Sequence, residues 1–402
     1  MLKYLFIFIL IVFSTKAQQK NSNNYFLSGA EVLIEKHLHS IENKRIGVVC
    51  NHSSLLSNSV HLVDWLSANK KIKITALFTP EHGIGGSYAA GEKVNDSVDL
   101  KSGIPIFSLY GKNIKPTKTM LQDIDIIIFD IQDVGARFYT YISTLYYVLQ
   151  AAAENDIPVV VLDRPNLING DKIEGPLLEE ELLSFVGVAK IPIRYGMTIG
   201  ELAYLFVGEN LIHTTMQTDL TVIKLENWER EKYYDEYSNL FIPPSPNIPD
   251  IETAIAYSGN CLIEGTNISE GRGTDYPFLV IGAPFIDNKL LLNDLNFKLS
   301  GAKLEDYEFI PKTIEGKAIN PKYENQVCKG LKLTITDRES FVPLKFTLEL
   351  ISSLIKLYPE KFKFNETAFD KLAGTESIRK MLLMKIPADE IIKAGSRILI
   401  SF

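Results

Sequence analysis

One short segment of the chain combines a carboxylate with residues that shape a turn. Thr79-Pro80-Glu81-His82-Gly83 directly follows an apolar run. Pro80 restricts the residue before it, and Gly83 lets the backbone pass close to a ligand. A glutamate that is partly desolvated at the end of a strand can hold a proton near neutral pH and donate it. Glu81 is therefore the candidate catalytic residue, with helix capping or ion pairing as the structural alternative. His82 is a candidate substrate-binding neighbour that orients it.

Other polar loops are rich in glycine, asparagine, arginine and carboxylate side chains. They cover residues 130–137, 163–166, 194–198, 245–247 and 264–274. The chain has nine arginines among its 42 basic residues, and four of them lie in these loops: Arg137, Arg164, Arg194 and Arg272. A planar guanidinium suits bidentate binding of a carboxylate or phosphate. We expect at least one of the four to face an anionic group of the substrate, and pairing with a neighbouring carboxylate is the alternative for each.

The side chains of these loops offer donors, acceptors and stacking faces to a ligand. The candidate substrate-binding residues besides His82 are Asp130, Gln132, Arg137, Tyr139, Asn166, Arg194, Asn247, Asn267, Glu270 and Arg272. Glu264 and Glu270 are the candidates for a second carboxylate. Asp133 is expected to pair with Arg137.

The sequence lacks the residues that several other kinds of enzyme chemistry require. Asp130 and Asp133 admit a metal-dependent hydrolase, but no matching ligand set and no His-Glu-x-x-His accompanies them, so we predict no metal. The first strand is followed by no Gly-x-Gly-x-x-Gly turn, and the chain has no Walker-type lysine loop, so we predict no nucleotide cofactor. A serine or cysteine nucleophile is not expected, because there is no Gly-x-Ser-x-Gly elbow and no cysteine beside a base.

The elements that must position these loops alternate along the first half of the chain. Apolar runs at residues 46–50, 72–78, 104–109, 124–129 and 159–162 are separated by helical patterns, of which the longest predicts an amphipathic helix over residues 138–154. Strands apolar on both faces indicate a parallel sheet covered on both sides, and ligands bind beyond the carboxyl ends of such strands. We predict an α/β fold: a Rossmann-like three-layer domain over residues 18–242, with a mostly parallel sheet. A proline-rich hinge at 241–249 leads into a smaller C-terminal α+β domain, residues 243–402, that completes the cleft.

The N-terminus has the pattern of a secretory signal peptide. Lys3 precedes an apolar run from Tyr4 to Phe13 and then small residues, so we predict cleavage after Ala17 and an exported protein, periplasmic or secreted. The run is too short to span a bilayer, so no stable membrane insertion is expected after cleavage. Acidic residues outnumber basic ones, 49 to 42, which argues against a nucleic-acid partner. The pattern does not set the oligomeric state.

These segments together resemble the exo-β-N-acetylmuramidase (NamZ-type) glycoside hydrolases. The resemblance covers nearly all of the mature chain, and its motifs are Pro80-Glu81-His82-Gly83, the stretch from Phe129 to Tyr141, Leu162-Asp163-Arg164-Pro165-Asn166, the stretch from Gly196 to Ala203, Pro244-Ser245-Pro246-Asn247, Glu264-Gly265-Thr266-Asn267, the stretch from Ser269 to Thr274, and Gly282-Ala283-Pro284. Two positions depart from the family pattern. Gly85-Gly86 stands where an arginine often follows Gly83, and Leu167 replaces a proline.

The resemblance implies an active site in the cleft between the two domains. It implies release of terminal N-acetylmuramic acid from the non-reducing ends of peptidoglycan fragments, with Glu81 as the catalytic residue. Muramic acid carries a lactyl carboxylate, which fits the expectation that an arginine faces an anion. The partner of Glu81 stays open between a loop carboxylate and the substrate's acetamido group. The rival function is an exported protein that binds cell-wall amino sugars without cleaving them.

Overall fold

The computed structural model describes residues 24–89, 91–295 and 299–399. The predicted signal peptide, residues 1–17, lies outside the described residues. Within the described ranges, no helix has both the length and the apolar character that a bilayer crossing requires.

A seven-stranded sheet forms the centre of the first half. Its strands are β1 (Arg45–Cys50), β2 (Lys73–Thr79), β3 (Ser97–Val98), β4 (Pro105–Ser108), β5 (Ile126–Asp130), β6 (Val159–Leu162) and β7 (Leu220–Ile223). The strand order is β3-β4-β2-β1-β5-β6-β7, and every neighbouring pair is parallel except β3 with β4. Every residue of β5 and β6 is buried, as their unbroken apolar sequences require. The edge strands β3 and β7 were not among the predicted runs.

Helices cover both faces of this sheet. They are α1 (Gly29–Val32), α2 (Leu62–Ser67), α3 (Tyr141–Glu154) and α4 (Ile199–Gly208). Helices α1 and α2 pack on one face with β1, and α3 and α4 pack on the other. The predicted helix from residue 138 begins only at Tyr141, because the preceding backbone pairs with the loop at Ile193 and Arg194 instead. The predicted three-layer α/β architecture is confirmed.

The second half is built from helices around a small antiparallel sheet. Its elements are α5 (Ile251–Asn260), β8 (Val280–Ala283), α6 (Asn288–Leu295), β9 (Ala302–Phe309), β10 (Cys328–Ile335), α7 (Pro343–Leu357), α8 (Glu366–Ala373), α9 (Ser377–Leu383) and α10 (Ala388–Leu399). The strand order is β8-β10-β9. This arrangement agrees with the predicted smaller α+β domain.

One hydrophobic core runs through both halves. Side chains of α3 and α4 lie in the same buried cluster as those of α5, α7 and α8. The proline-rich segment 241–249, which contains no helix or strand, crosses between the halves. The domain boundary at residue 242 stays a prediction. The continuous core means that side chains from the two halves are held at fixed positions across their junction.

Candidate active site

A cleft of about 350 Å³ lies between the two halves, beyond the carboxyl end of β2. Its walls are mainly aromatic and apolar, with a few polar groups, which is the usual composition of a small-molecule site. The lining residues are Glu81, His82, Gly91, Tyr110, Phe138, Tyr139, Thr140, Phe185, Val186, Ser245, Asn247, Ile248, Tyr257, Cys261, Glu264, Arg272, Phe278 and Leu372.

Glu81 is held in this cleft by hydrogen bonds to both carboxylate oxygens. The backbone N–H of Gly91 donates to Oε1 at 2.8 Å, and the hydroxyl of Thr140 donates to Oε2 at 2.8 Å. The Tyr110 hydroxyl is a third neighbour. Burial raises the pKa of Tyr110, and the charge and hydrogen bond of Glu81 raise it further. A carboxyl group fixed from three sides has a defined orientation toward a ligand in the cleft.

His82 maintains the turn that carries Glu81. Its backbone is left-handed, with φ 74°, and the side chain is only 4% exposed. Nδ1 donates to the carbonyl of Tyr88 at 2.6 Å, because a carbonyl can only accept. Burial lowers the pKa of His82 in spite of the opposing charge of Glu81, so the ring is neutral near pH 7. His82 lines the cleft and closes the 82–88 loop.

The structure of the loop after Gly83 accounts for part of one departure from the family pattern, the presence of Gly85-Gly86 where an arginine is often found. Gly86 has φ 65°, and a Cβ there would lie 2.2 Å from Nδ1 of His52, so only glycine fits. At Gly85 a Cβ would meet only Ser87 Oγ at 3.8 Å. The glycine at position 86 therefore has a packing reason, whereas position 85 has room for a side chain.

Arg272 and Glu264 form the polar wall that the second half contributes. Nη2 of Arg272 donates to Oε1 of Glu264 at 2.8 Å, and Nε lies 3.7 Å from Oε1 of Glu270. The guanidinium carbon lies 5.0 Å from the centre of the Phe278 ring. Glu270 is buried behind this pair and also contacts Nζ of Lys322 at 3.2 Å. Of the two candidate second carboxylates, only Glu264 lines the cleft.

Tyr139 and Asn247 are the other predicted binding residues that line the cleft. Nδ2 of Asn247 donates to the carbonyl of Lys317 at 2.7 Å, which leaves Oδ1 buried without a hydrogen-bond partner. The hydroxyl of Tyr139 lies near Ser245 and Tyr141 but makes no hydrogen bond of normal geometry with either. Both residues bring polar atoms to the junction of the hinge with the first half.

Asp130 and Gln132 are positioned away from the cleft. Asp130 accepts hydrogen bonds from Arg164, Nε to Oδ1 at 2.5 Å and Nη2 to Oδ2 at 2.9 Å, and both side chains are buried. Nε2 of Gln132 donates to the carbonyls of Asp133 and Pro165 at 2.9 and 2.7 Å. Arg164 binds both carboxylate oxygens of Asp130, and the amide nitrogen of Gln132 bonds two backbone carbonyls, so both residues stabilise the loops at the sheet edge.

Arg137 does not pair with Asp133, contrary to the sequence-based expectation. It donates to the carbonyls of Pro176 at 3.0 Å, Ile191 at 2.8 Å and Leu372 at 3.0 Å, and burial lowers its pKa to about 9. Asp133 instead accepts from the backbone N–H of Gly135 at 2.7 Å and from the hydroxyl of Tyr195. The guanidinium is directed to where three backbone segments meet, so it joins α8 of the second half to the first half.

Three further predicted binding residues also bond within the protein. Asn166 donates to the carbonyl of Met197 at 2.9 Å, and Arg194 donates to Glu174 at 2.8 Å and to the carbonyl of Ile168. Asn267 bonds the backbone of Lys361 and Lys363, at 2.8 Å each. None of the three lines the cleft.

Tyr110, Thr140 and Gly91 contact Glu81 but were not singled out from the sequence. Tyr110 follows the predicted strand at 104–109, so the same strand-end argument that selected Glu81 would have found it. Thr140 lies just before α3, where its role depends on the late start of that helix. Gly91 has no sequence signal, because its contact with Glu81 is made by a backbone N–H, which every residue except proline carries.

Asp130 and Asp133 are the carboxylates that a metal-dependent hydrolase would use. Among residues 24–89, 91–295 and 299–399, no three or more His, Cys, Asp and Glu side chains are grouped so that they could hold a metal ion. Arg164 occupies both carboxylate oxygens of Asp130.

Two carboxylates, Glu81 and Glu264, reach one cleft from the two halves of the chain, and glycoside hydrolysis usually uses such a pair. Fold and site together fit a glycoside hydrolase. Residues 46–252 match the N-terminal family model of exo-β-N-acetylmuramidase NamZ, and residues 255–402 match the C-terminal one. The chain belongs to this family.

Relatives of known identity agree with this membership. The chain is 44% identical over 377 residues to the peptidoglycan β-N-acetylmuramidase NamZ of Bacillus subtilis (strain 168), which covers 93% of this chain and 88% of that protein. Crystal structures of two DUF1343 family proteins from Bacteroides fragilis are also similar. One superposes with a TM-score of 0.83 at 31% identity, covering 91% of this chain and 93% of that one. The other has a TM-score of 0.77 at 35% identity, covering 93% and 95%.

Proposed function

We propose that this protein is an exo-acting β-N-acetylmuramidase that releases terminal N-acetylmuramic acid from the non-reducing ends of peptidoglycan fragments, with Glu81 as the general acid. The observation that carries the proposal is the carboxyl group of Glu81, fixed in the cleft by Gly91 and Thr140 in a chain of the NamZ family. The substrate is a sugar of the cell wall, and the proposed reaction uses neither a nucleotide nor a metal ion.

The hydrogen bonds around Glu81 determine which of its oxygens carries the proton when the carboxyl group is protonated. The Gly91 N–H can only donate, so it keeps Oε1 as an acceptor and directs the acidic proton to Oε2. The Thr140 hydroxyl can both donate and accept, so it stays bonded to Oε2 in either protonation state. In the overall reaction, the proton of Glu81 passes to the glycosidic oxygen as the bond from that oxygen to C1 breaks, and water supplies the oxygen that is finally bonded to C1. The proton that this water loses is accepted by Glu264 in an inverting reaction, or by the Glu81 carboxylate in a retaining one.

The partner of Glu81 is either Glu264 or the 2-acetamido group of the substrate. Glu264 supports the first alternative because it is the carboxylate of the second half that lines the cleft, and Arg272 orients it. An N-acetyl sugar supports the second, because its acetamido oxygen can attack C1. The anomeric configuration of the first product, followed by NMR, distinguishes an inverting reaction from a retaining one.

Replacing Glu81→Gln tests the acid directly. The amide keeps the size of the side chain but carries no acidic proton, so we expect turnover of a chromogenic β-N-acetylmuramic acid glycoside to fall by about 10² to 10⁴. Glu92→Gln is the matched control, because Glu92 is close to Gly91 in the chain and, among the described residues, its side chain accepts a hydrogen bond only from the backbone N–H of Ala89, at 2.8 Å. Near-normal turnover by the Glu81→Gln protein would show that Glu81 is not the general acid.

The same assay separates the enzyme from a binding protein. A wild-type protein that binds N-acetylmuramic acid but releases no chromophore would be an exported receptor for cell-wall amino sugars. A metal-dependent hydrolase would lose activity on treatment with a chelator, whereas the proposed mechanism predicts no loss.

We further propose that the protein is exported and works outside the cytoplasm, in a periplasm or after secretion. The support is the sequence pattern of Met1 to Ala17 and a substrate class found in the cell wall. The mass of the mature N-terminus and the fraction that contains the protein test this. An unprocessed chain confined to the cytoplasm would contradict it.

A further inference from the structure

The four loop arginines divide into three with structural partners and one that lines the cleft. Arg137 donates to backbone carbonyls, Arg164 pairs with Asp130, and Arg194 pairs with Glu174. Each of these three is at most 7% exposed. Only Arg272 is both in a polar loop and on the wall of the cleft. Sequence alone could not separate the four.

Arg272 is also the cation of the cleft. Among the described residues that line it there is no lysine and no second arginine. His82, the other basic side chain of the wall, has its pKa lowered by burial and is neutral near pH 7. An anionic substituent that enters the cleft therefore has one positively charged side chain to bind.

The surroundings of Arg272 hold its guanidinium charged and oriented. Burial lowers the pKa of Arg272, but the charges of Glu264 and Glu270 outweigh this effect and raise it. Glu264 binds Nη2, and the plane rests against Phe278. No hydrogen bond to Nη1 is found within the described part of the chain, so one donor edge is left for a ligand. A guanidinium held in this way loses little freedom when it binds a carboxylate.

We propose that Arg272 binds the lactyl carboxylate of the substrate and so determines the preference for N-acetylmuramic acid over N-acetylglucosamine. This inference rests on the proposed function, because it takes the sugar from that function. The two sugars differ only by the lactyl ether at O3, and the charge of that group is what a single cation in a partly apolar cleft can distinguish.

Glu264 competes for the same guanidinium. It already neutralises part of the positive charge, so its own negative charge opposes an incoming carboxylate at short range. Replacing Glu264→Gln keeps an oxygen that can accept from Nη2 but removes that charge. We therefore expect this variant to bind N-acetylmuramic acid more tightly than the wild type does. If the pair had only a structural role, the variant would bind each of the two sugars as well as the wild type or less well.

Calorimetric titration of the intact protein with N-acetylmuramic acid and N-acetylglucosamine tests the inference. We expect Arg272→Gln to weaken binding of N-acetylmuramic acid by about 10- to 100-fold, the usual effect of losing a hydrogen bond to a charged group, and to leave N-acetylglucosamine within about twofold. Arg272→Lys should retain part of the preference. Glu264→Gln should increase it by about threefold or more.

Arg338→Gln is the matched control. Arg338 also pairs with two carboxylates, Asp235 at 2.6 Å and Glu252 at 2.5 Å, and lies 5.1 Å from the Tyr233 ring, but it does not line the cleft. This variant should bind both sugars as the wild type does.

Two results would overturn the assignment of Arg272. One is equal loss of both sugars in Arg272→Gln with an unchanged preference in Glu264→Gln, and the other is a wild-type protein that does not prefer N-acetylmuramic acid. Turnover of the chromogenic glycoside by the wild type is measured separately. Its absence would refute the proposed function, whereas turnover without an Arg272-dependent preference would refute this inference alone.

Discussion

Thr140 Oγ1 donates a hydrogen bond to Glu81 Oε2 at 2.8 Å and so joins the start of α3 to the turn after β2. These two elements are not adjacent in the chain, and the contact brings the carboxyl group of Glu81 to the wall that Phe138 and Tyr139 form. The orientation of the acid thus depends on a helix that begins three residues later than its sequence pattern suggests.

The Thr140 contact predicts a loss of catalytic efficiency without a loss of fold. Thr140→Val keeps the shape and removes the donor, so we expect kcat/KM on the chromogenic glycoside to fall about tenfold. Thr140→Ser should restore most of it. Thr144→Val is the control, since within the described ranges the Thr144 hydroxyl bonds only the Thr140 carbonyl, at 3.4 Å. Equal effects of the two valine variants would show that the hydroxyl of Thr140 does not act through Glu81.

For Asp130 we expect the opposite of Thr140: a loss of stability without a change in substrate binding. Its carboxylate is buried against Arg164, and removing one partner of a buried ion pair leaves the other charge uncompensated. We expect Asp130→Asn to lower the free energy of unfolding by about 3 to 5 kcal/mol while KM of the folded fraction stays unchanged. Urea denaturation and steady-state kinetics measure the two effects. A raised KM with unchanged stability would show that Asp130 binds substrate and does not stabilise the fold.

The comparison of Glu81 with Asp130 indicates what sequence can specify. Both lie at the carboxyl ends of parallel strands, and the pattern correctly predicted these two strands, a mostly parallel sheet and the α/β class. It could not tell which strand-end side chain faces the cleft, because that depends on long-range partners. Arg164 reaches back to Asp130 from the next strand, whereas Gly91 and Thr140 leave Glu81 at the surface of the cleft.

The arginines illustrate the same limit. Residue type indicated an anion-binding role for a group of four, but the choice of Arg272 required the position of α8 and of the Glu264 loop. The carbonyl partners of Arg137 are separated from it by 39 to 235 residues in sequence. No local pattern encodes such contacts, since a carbonyl is present at every position.

Gly374 predicts that the junction between the halves is intolerant of a single methyl group. Its φ is 78°, and a Cβ would lie 2.3 Å from Nη2 of Arg137, a side chain that three carbonyl bonds prevent from moving. Gly103 is the matched control, with φ 73° and nothing within 4 Å. We expect Gly103→Ala to cost about 1 kcal/mol of unfolding free energy and Gly374→Ala at least about 2 kcal/mol more. Similar losses of unfolding free energy in the two variants would show that the Arg137 side chain moves to make room for the added methyl group.

Asp133 predicts how stability changes with pH. Burial raises its pKa to about 6, although the hydrogen bond from Tyr195 opposes this. The folded state therefore binds this proton more tightly than the unfolded chain. The contribution to stability is present below about pH 4 and is lost as the pH rises through about 6.

Asp133→Asn removes that titration. Relative to the wild type, the variant should gain on the order of 2 kcal/mol of unfolding free energy between pH 4 and pH 7. Denaturant unfolding at a series of pH values gives the difference. Parallel curves for the two proteins would mean that the pKa of Asp133 is not raised by folding.

Arg137 and Arg272 should have left different records in evolution. Among the described residues, the hydrogen-bond partners of Arg137 are backbone carbonyls, which any amino acid supplies, so these bonds constrain the arginine itself but not the residue type at positions 176, 191 and 372. Arg272 depends on the side chain of Glu264, so we expect those two positions to change together or not at all. Among relatives, the junction between the halves would thus appear as one invariant residue, and the cleft wall as a covarying pair.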